Sequence, residues 1–156
     1  MEGDRKPVPF MITQFNERQA RFSPDGHWVA YPSDESGQDE VYVRSFSMNS
    51  AGTAAEAGGK WPISNGFGVD PHWRGDGREL YYRSRSGLLM AAEIATNPAL
   101  RAGKPQALGV LVPAFVNSVG SSTWDSAADG RRFLKASRTG LQPLTVVLNW
   151  QAGLKK

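Results

Sequence analysis

The stretch RFSPDGHWVAY, residues 21–31, contains a tight turn between two strand-like segments. In the turn, Pro24 presets the backbone φ angle, Asp25 can cap a nearby backbone N–H, and Gly26 accepts a left-handed conformation. An aromatic residue precedes the turn, and the apolar segment WVAY follows it. This pattern predicts a β-hairpin.

The Asp-Gly pair recurs as Asp76-Gly77 and Asp129-Gly130, so that successive aspartates are 51 and 53 residues apart. Each pair is preceded by a strand-like segment and followed by an apolar one. A single pair would predict only a hairpin, whereas three pairs at near-constant spacing indicate a structural repeat.

Strand-like segments group around each turn. Four lie in residues 20–64, four in 69–112 and three in 122–150, and residues 7–15 form one more, a predicted outer strand. Units of about fifty residues with four antiparallel strands are typical of β-propeller blades. We therefore predict an all-β fold with about three blades, in a single partial propeller domain spanning residues 7–156, whose third blade lacks its outer strand. The small-residue stretch Ser47–Lys60 is predicted to be a flexible surface loop.

Length and composition narrow the classes of partner. The chain has 156 residues, a formal net charge of +3 and no cysteine. Its basic residues are scattered among carboxylates, which argues against nucleic-acid binding. Disulfides and thiolate metal sites are excluded, and no run of eighteen apolar residues predicts a membrane span. The N-terminal residues contain no export signal, so the chain as written is predicted to be cytoplasmic, although related propellers are often extracytoplasmic.

At FSPDGHWVAY, residues 22–31, the chain resembles the WD40-like propeller repeats of the TolB-type family. The segments ESGQDEVYVRSF, GKWPISNGFGVDPHWRGDGRELYY and PLTVVLNWQAGLKK further resemble the C-terminal propeller part of bacterial serine/threonine protein kinases and related regulators. The resemblance extends from about Lys6 to Lys156 and implies a propeller without implying an activity. No glycine-rich phosphate loop or HRD motif is present, so kinase activity is not implied. The third turn departs from the family pattern, since Ala127-Ala128 replaces the usual Ser-Pro.

Three blades are too few for a closed ring, because propellers typically have four to eight. Two chains related by a two-fold axis would supply six. In this hypothesis, the 7–15 strand of each chain completes the third blade of the other and covers both open edges. The alternatives are an excised fragment of a longer chain and an open arc.

Catalytic and metal motifs are missing from the sequence. There is no GxSxG, HExxH or EF-hand motif, and the two histidines, His27 and His72, are predicted to be structural. The acidic stretch 34–40 matches no calcium loop and is predicted to be a solvated hairpin tip. We therefore predict no enzyme activity, no cofactor and no metal.

The turn carboxylates and the tryptophans are predicted to be structural. The aspartates should cap backbone amides in the turns, and the tryptophans should pack between blades rather than form a stacking platform for nucleic acid or sugars. The turn residues are Asp25, Gly26, Asp76, Gly77, Asp129 and Gly130, and the tryptophans are Trp28, Trp73, Trp124 and Trp150.

A recognition surface is expected at one rim of the blades, because loops on a rigid scaffold commonly carry binding residues. Connections in an antiparallel blade alternate between two ends, so the Asp-Gly turns share one rim with the Ser47–Lys60 loop. The opposite rim collects Pro32–Asp39, Asn65–Asp70, Ser84–Gly87, Pro113–Ser121 and Ser137–Pro143. Its predicted polar contributors are Asp34, Glu35, Asp70, Arg83 and Arg85, the alternative being that these are ordinary exposed loop residues.

These expectations favour a non-catalytic propeller module for protein or ligand interaction, serving as a scaffold, sensor or regulatory segment of a larger protein. One alternative is an accessory propeller of a hydrolase or peptidase whose catalytic domain is absent. Another is a truncated or designed fragment with only a structural role.

Overall fold

The computed structural model describes residues 7–50, 55–112 and 122–136, together with the backbone of residues 145–148. This part of the chain forms twelve strands and no helix, which confirms the predicted all-β class. None of it could therefore cross a bilayer as an apolar helix. The strands are β1 (Arg21–Phe22), β2 (Trp28–Ser33), β3 (Glu40–Met48), β4 (Ala55–Pro62), β5 (Val69–Trp73), β6 (Glu79–Arg83), β7 (Leu88–Ala95), β8 (Arg101–Ala102), β9 (Gln106–Leu111), β10 (Trp124–Ser126), β11 (Arg132–Lys135) and β12 (Thr145–Leu148).

The strands form three antiparallel sheets, referred to below as blades 1, 2 and 3. Blade 1 has the order β1-β2-β3-β4. Blade 2 has the order β5-β6-β7, and the far side of β7 pairs with both β8 and β9. Blade 3 has the order β10-β11-β12 in the described residues. The three sheets span residues 21–62, 69–111 and 124–148.

The three Asp-Gly turns share one geometry. In each, the glycine has a φ angle between +67° and +74°, and its N–H donates to the carbonyl three residues earlier at 2.9 Å. Each aspartate Oδ1 accepts a hydrogen bond from the backbone N–H two residues later, at 2.9 to 3.0 Å. The side chain therefore caps the turn that its own backbone forms.

The turns of successive blades also lie next to one another. The N–H of Gly75 donates to the carbonyl of Ala128 at 3.0 Å, which joins the turns of blades 2 and 3. A Cβ atom on Gly77 would lie 3.8 Å from Cδ of Pro24 in the turn of blade 1. The three corners thus follow one edge of the stacked blades.

Blades pack face to face through side chains that alternate along their second strands. The residue four positions after each turn aspartate lies on what we call the leading face, and the residue five positions after it lies on the trailing face. The trailing face of blade 1 packs against the leading face of blade 2 in one apolar cluster, and the trailing face of blade 2 packs against the leading face of blade 3 in a second. The leading residues are Val29, Leu80 and Phe133, and the trailing residues are Ala30, Tyr81 and Leu134.

Residues 7–15, predicted to be an outer strand, form no strand. This segment lies instead across the leading face of blade 1, where Phe10 and Met11 pack against the cluster that contains Val29. The ring centroids of Phe10 and Phe46 are 5.3 Å apart. Pro7 and Pro9 lack N–H groups that a strand would use, and the apolar side chains of Phe10 and Met11 pack on blade 1 without pairing of the backbone.

Two further predictions at the strand level differ from the structure. The stretch Ser47–Lys60, expected to be a flexible loop, contains most of β4, whose Ala55 and Ala57 pair with Met48 and Phe46. Its small residues have weak β propensity, but backbone pairing with the long strand β3 overrides that preference. The short strand β8 was not predicted; two residues beside the end of β7 are too few to produce a pattern.

The tyrosines provide a test of the packed blades. All four phenols, those of Tyr31, Tyr42, Tyr81 and Tyr82, have raised pKa values, chiefly because burial disfavours the phenolate; those of Tyr31 and Tyr82 rise to about 12. A raised phenol pKa stabilises the native state while the phenol is neutral, and this contribution is lost as pH rises from the unfolded value of about 10.

We expect an absorbance titration of the folded chain to show little phenolate at pH 10 and a large rise near pH 12. The same titration in denaturant should have its midpoint near pH 10. A phenolate signal from the native chain below pH 10 would contradict this packing.

Candidate functional site

The rim opposite the Asp-Gly turns, referred to as the far rim, is formed in the described residues by 34–39, 63–68 and 84–87. Asp34 accepts hydrogen bonds from the side chain and the backbone N–H of Asn16, at 2.5 and 3.0 Å, and these bonds lower the pKa of Asp34. Glu35 forms an ion pair with Lys60. Asp34 and Glu35, two of the three predicted rim carboxylates, therefore have partners within blade 1 and its flanking segment.

The other carboxylates of the 34–40 stretch also have separate partners. Asp39 forms an ion pair with Arg18. Glu40 is buried, and it accepts hydrogen bonds from the Ser64 hydroxyl and, at 2.7 Å, from the N–H of Gly66. Among the described residues, no group of three or more histidine, aspartate or glutamate side chains is placed to hold a metal ion.

Arg85 connects the far rims of two blades. Its Nη2 donates to Oε1 of Gln38 at 2.9 Å, and its guanidinium carbon lies 4.6 Å from the ring centroid of Phe67. A cavity of about 370 Å³ adjoins these side chains. It is lined by Asn65, Gly66, Phe67, Tyr82, Ser84, Arg85, Ser86 and Met90.

Asp70, predicted to be a rim residue, is buried where blades 1, 2 and 3 meet. Its N–H donates to Oε1 of Gln19 in the segment entering blade 1, at 3.1 Å. Its Oδ2 accepts from the hydroxyl of Ser122, just before blade 3, at 2.8 Å. The residue thus links three successive repeats through its backbone and side chain.

His72 adds a second link between blades 2 and 3. Its Nε2 lies 3.1 Å from Oγ of Ser122 and 3.3 Å from Oδ1 of Asp70. Its Nδ1 lies 3.2 Å from Oδ1 of Asp125, and its ring centroid is 4.2 Å from that of Trp124. We call Gln19, Asp70, His72, Ser122 and Asp125 the axial polar cluster.

Arg83 stands beside this cluster, because it pairs with Val69 across β5 and β6. Its guanidinium is half-buried, and desolvation lowers its pKa while the charge of Asp70 opposes that change. Arg83 and Asp70 therefore belong to the interior of the blade junction, whereas Arg85 is the exposed cation of the far rim.

Three non-glycine residues of the described chain have positive φ angles, and all belong to this region. The angles are +49° for Gln19, +56° for Asp70 and +136° for Phe67. Such conformations cost of order 1–3 kcal/mol each and cluster at functional sites. Backbone strain therefore coincides here with the axial polar cluster and the Arg85 cavity.

The opposite edge carries a larger cleft of about 760 Å³ between the turns of blades 1 and 2. Its lining includes Trp28, Trp73 and the exposed Arg78. His27 is exposed beside the first turn, whereas Trp124 is buried. Trp150 lies outside the described residues.

The axial polar cluster was largely missed in the sequence, although one signal was available. Gln19 and Asp70 each stand six residues before a turn aspartate, so they are equivalent positions of successive repeats. Ser122 and Asp125 had no such signal, because their contact with His72 depends on how two blades stack.

Neither a scan of protein-family models nor a search of curated proteins finds a match. Among solved structures, the chain is similar to an oligogalacturonate lyase from Vibrio parahaemolyticus, with a TM-score of 0.52 and 16% sequence identity. The similarity covers 81% of this chain and 31% of the lyase chain, so this chain spans about a third of that protein's length. The lyase has a seven-bladed β-propeller fold, which supports the propeller interpretation of the three blades.

The prediction that the chain is not an enzyme is contradicted by this neighbour, which is an enzyme with the same fold. That prediction depended on the absence of short catalytic motifs. A propeller can assemble a site from loops of several blades, so the absence of a contiguous motif says little about catalysis.

The axial polar cluster is tested by Asp70→Ala. The substitution removes a buried carboxylate that lies within hydrogen-bonding distance of the Ser122 hydroxyl and of His72 Nε2, so we expect it to lower the unfolding free energy by about 2 kcal/mol. Urea denaturation measures the loss. Asp34→Ala is the control, since it removes the same charge from the surface and should have a much smaller effect. Equal losses in the two variants would contradict a buried polar link.

Proposed function

We propose that this chain is a recognition module, consisting of blades of a TolB-type, WD40-like propeller that bind a ligand at the far rim. It would serve as a sensor or regulatory segment of a larger protein. The observation that carries this proposal is the convergence of backbone strain, an exposed arginine and a cavity at the junction of blades 1 and 2.

The strain supports a binding role because a simple connection would not need it. Glycine adopts a positive φ angle at little cost, and Gly66, with φ of +95°, already does so in this connection. Phe67 nevertheless also has a positive φ angle. Its ring contacts the guanidinium of Arg85 and forms part of the cavity wall.

The cavity lining defines the chemistry of the ligand. Arg85 is exposed, and only one of its nitrogens has a partner among the described contacts, so other N–H groups can donate to an anion. Phe67, Tyr82 and Met90 supply apolar surface beside it. A carboxylate flanked by an apolar surface fits this combination.

A second candidate is that the chain forms part of a propeller enzyme. The supporting observation is the fold it shares with an oligogalacturonate lyase, whose chain is about three times as long as the matched part. Oligogalacturonates carry carboxylates, so they belong in the same set of probes. Mass spectrometry of trigalacturonate incubated with the purified chain would detect cleavage.

The recognition proposal can be tested by calorimetric titration with trigalacturonate, citrate and an acidic acetylated tetrapeptide. We expect at least one probe to bind the wild-type chain and to lose about 10- to 100-fold in affinity in Arg85→Ala, because a charge-assisted hydrogen bond contributes about 1.5–3 kcal/mol. Arg78→Ala is the matched control, since it removes an exposed arginine from the opposite edge.

Binding of trigalacturonate or citrate would indicate a small-molecule ligand, whereas binding of the tetrapeptide alone would indicate an acidic peptide. Equal affinities of the wild-type chain and Arg85→Ala would place binding elsewhere and overturn the proposal. The proposal is also overturned if none of the three probes binds at millimolar concentration. It is likewise overturned if Arg78→Ala weakens binding as much as Arg85→Ala does.

A further inference from the structure

The cleft between the turns of blades 1 and 2, called the turn-side cleft below, has two tryptophans in its wall. Trp28 and Trp73 both pack on the apolar cluster between these blades, yet each stays partly exposed. The ring centroids of Trp28 and Trp61 are 5.4 Å apart in an edge-on contact. The indole N–H of Trp73 donates to the carbonyl of Arg21 at 3.2 Å. Both rings are therefore held in place, and each adds flat apolar surface to the cleft.

The outer wall of the turn-side cleft is anchored to the core. It consists of the end of β7, strand β8 and the connection between them. Leu100 of that connection is buried in the cluster between blades 1 and 2, and β8 pairs with Ile94 and Ala95 of β7. The cleft volume of about 760 Å³ lies in the range of small-molecule sites. An anchored wall lets a ligand bind without first ordering the chain.

Glu93 stands where packing within the blade does not favour a carboxylate. It lies directly opposite Glu79 in the pairing of β6 with β7, and like charges at opposite positions destabilise a sheet. Glu79 is compensated by the hydroxyl of Tyr81 at 2.5 Å and by Arg74 at 3.6 Å. Glu93 is exposed in the cleft, and within the described part of the chain its side chain forms no hydrogen bond or ion pair. A ligand that donates a hydrogen bond to Glu93 would compensate this carboxylate.

The charges of the turn-side cleft favour a neutral ligand. Its wall contains three arginines and four carboxylates. Nε of Arg74 lies 3.4 Å from Oδ1 of Asp76, and Asp25 accepts hydrogen bonds within its own turn. Arg101 is exposed and, like Glu93, has no side-chain partner among the described residues. The wall thus offers a free donor group and a free acceptor group, without the excess of positive charge that would attract an anion.

We propose that the turn-side cleft binds a neutral saccharide. Sugar hydroxyls both donate and accept hydrogen bonds, so one sugar can pair with Glu93 and with Arg101. The apolar C–H face of the same ring can pack on indole surface. An anion would leave Glu93 without a donor, and a cation would leave Arg101 without an acceptor. The site lies on the edge opposite the far rim, so it is separate from the proposed recognition of a carboxylate by Arg85.

Calorimetric titration of the full chain with maltotetraose, cellotetraose and chitotetraose tests the site. We expect at least one of them to bind, and its dissociation constant to rise about 10-fold or more in Glu93→Ala and in Arg101→Ala, because each variant removes a hydrogen bond to a charged group. The matched controls are Glu56→Ala and Arg131→Ala, which remove an exposed carboxylate and an exposed arginine outside the cleft.

The fold of the variants is checked by urea denaturation. Glu93→Ala should not lower the unfolding free energy, since it removes the repulsion with Glu79. Arg85→Ala, at the far rim, should bind the saccharide as tightly as the wild-type chain does. This variant therefore separates a failure of the saccharide site from a failure of the far-rim proposal.

Four outcomes would overturn the inference. The first is that none of the three saccharides binds at millimolar concentration. The second is that Glu56→Ala or Arg131→Ala weakens binding as much as the cleft variants do. The third is that Arg85→Ala weakens binding, which would move the saccharide to the far rim. The fourth is that trigalacturonate or tetralysine binds at Glu93 and Arg101 more tightly than any neutral saccharide, which would show that the cleft selects a charged ligand.

Discussion

The structure depends on one constraint, which is that each blade has two apolar faces and both must be covered. Five of the six residues of β2 are buried, although side chains alternate between faces along a strand. The Asp-Gly turn fixes this alternation, because the fourth residue after the aspartate lies on the leading face and the fifth lies on the trailing face. A slip of one residue would exchange the two faces and place Ala30 where Val29 packs. The turn therefore sets the stacking of whole sheets.

The axial polar cluster adds specificity to this apolar stacking. Apolar faces tolerate small shifts, whereas hydrogen bonds are lost over fractions of an ångström. Asp70 contacts Gln19 on one side and Ser122 on the other, so it fixes the offset of three repeats at once. Burying a carboxylate is unfavourable without partners. The observed contacts reduce that penalty, which makes the cluster a determinant of alignment more than a source of stability.

Local features were predictable from the sequence, and features that need two blades were not. The turn around Asp25 contains its own explanation, because proline, aspartate and glycine each favour the required backbone conformation. The apolar run of residues 7–15 was mistaken for a strand, since apolar content does not distinguish pairing from packing. The stretch around Ala55 was mistaken for a loop because its pairing comes from β3. The contact of His72 with Asp125 spans 53 residues and appears only after stacking.

At the far rim, Arg85 was predicted as a contributor, but its position over Phe67 depends on a strained connection that no sequence pattern indicates.

Stacking and recognition are coupled because the far-rim cavity is lined by blade 2 and by the connection 65–67 that joins blade 1 to it. Arg85 belongs to blade 2, whereas its partner Gln38 belongs to the loop of blade 1. Separating these blades would break the contact between Arg85 and Gln38 beside the cavity and also the contact between Gln19 and Asp70. A ligand that binds the assembled cavity and not the separated blades must stabilise the stack by mass action. Conversely, any contact that tightens the stack preorganises the cavity and reduces the ordering cost of binding. The same junction that satisfies the apolar faces thus determines the geometry with which the far rim meets a ligand.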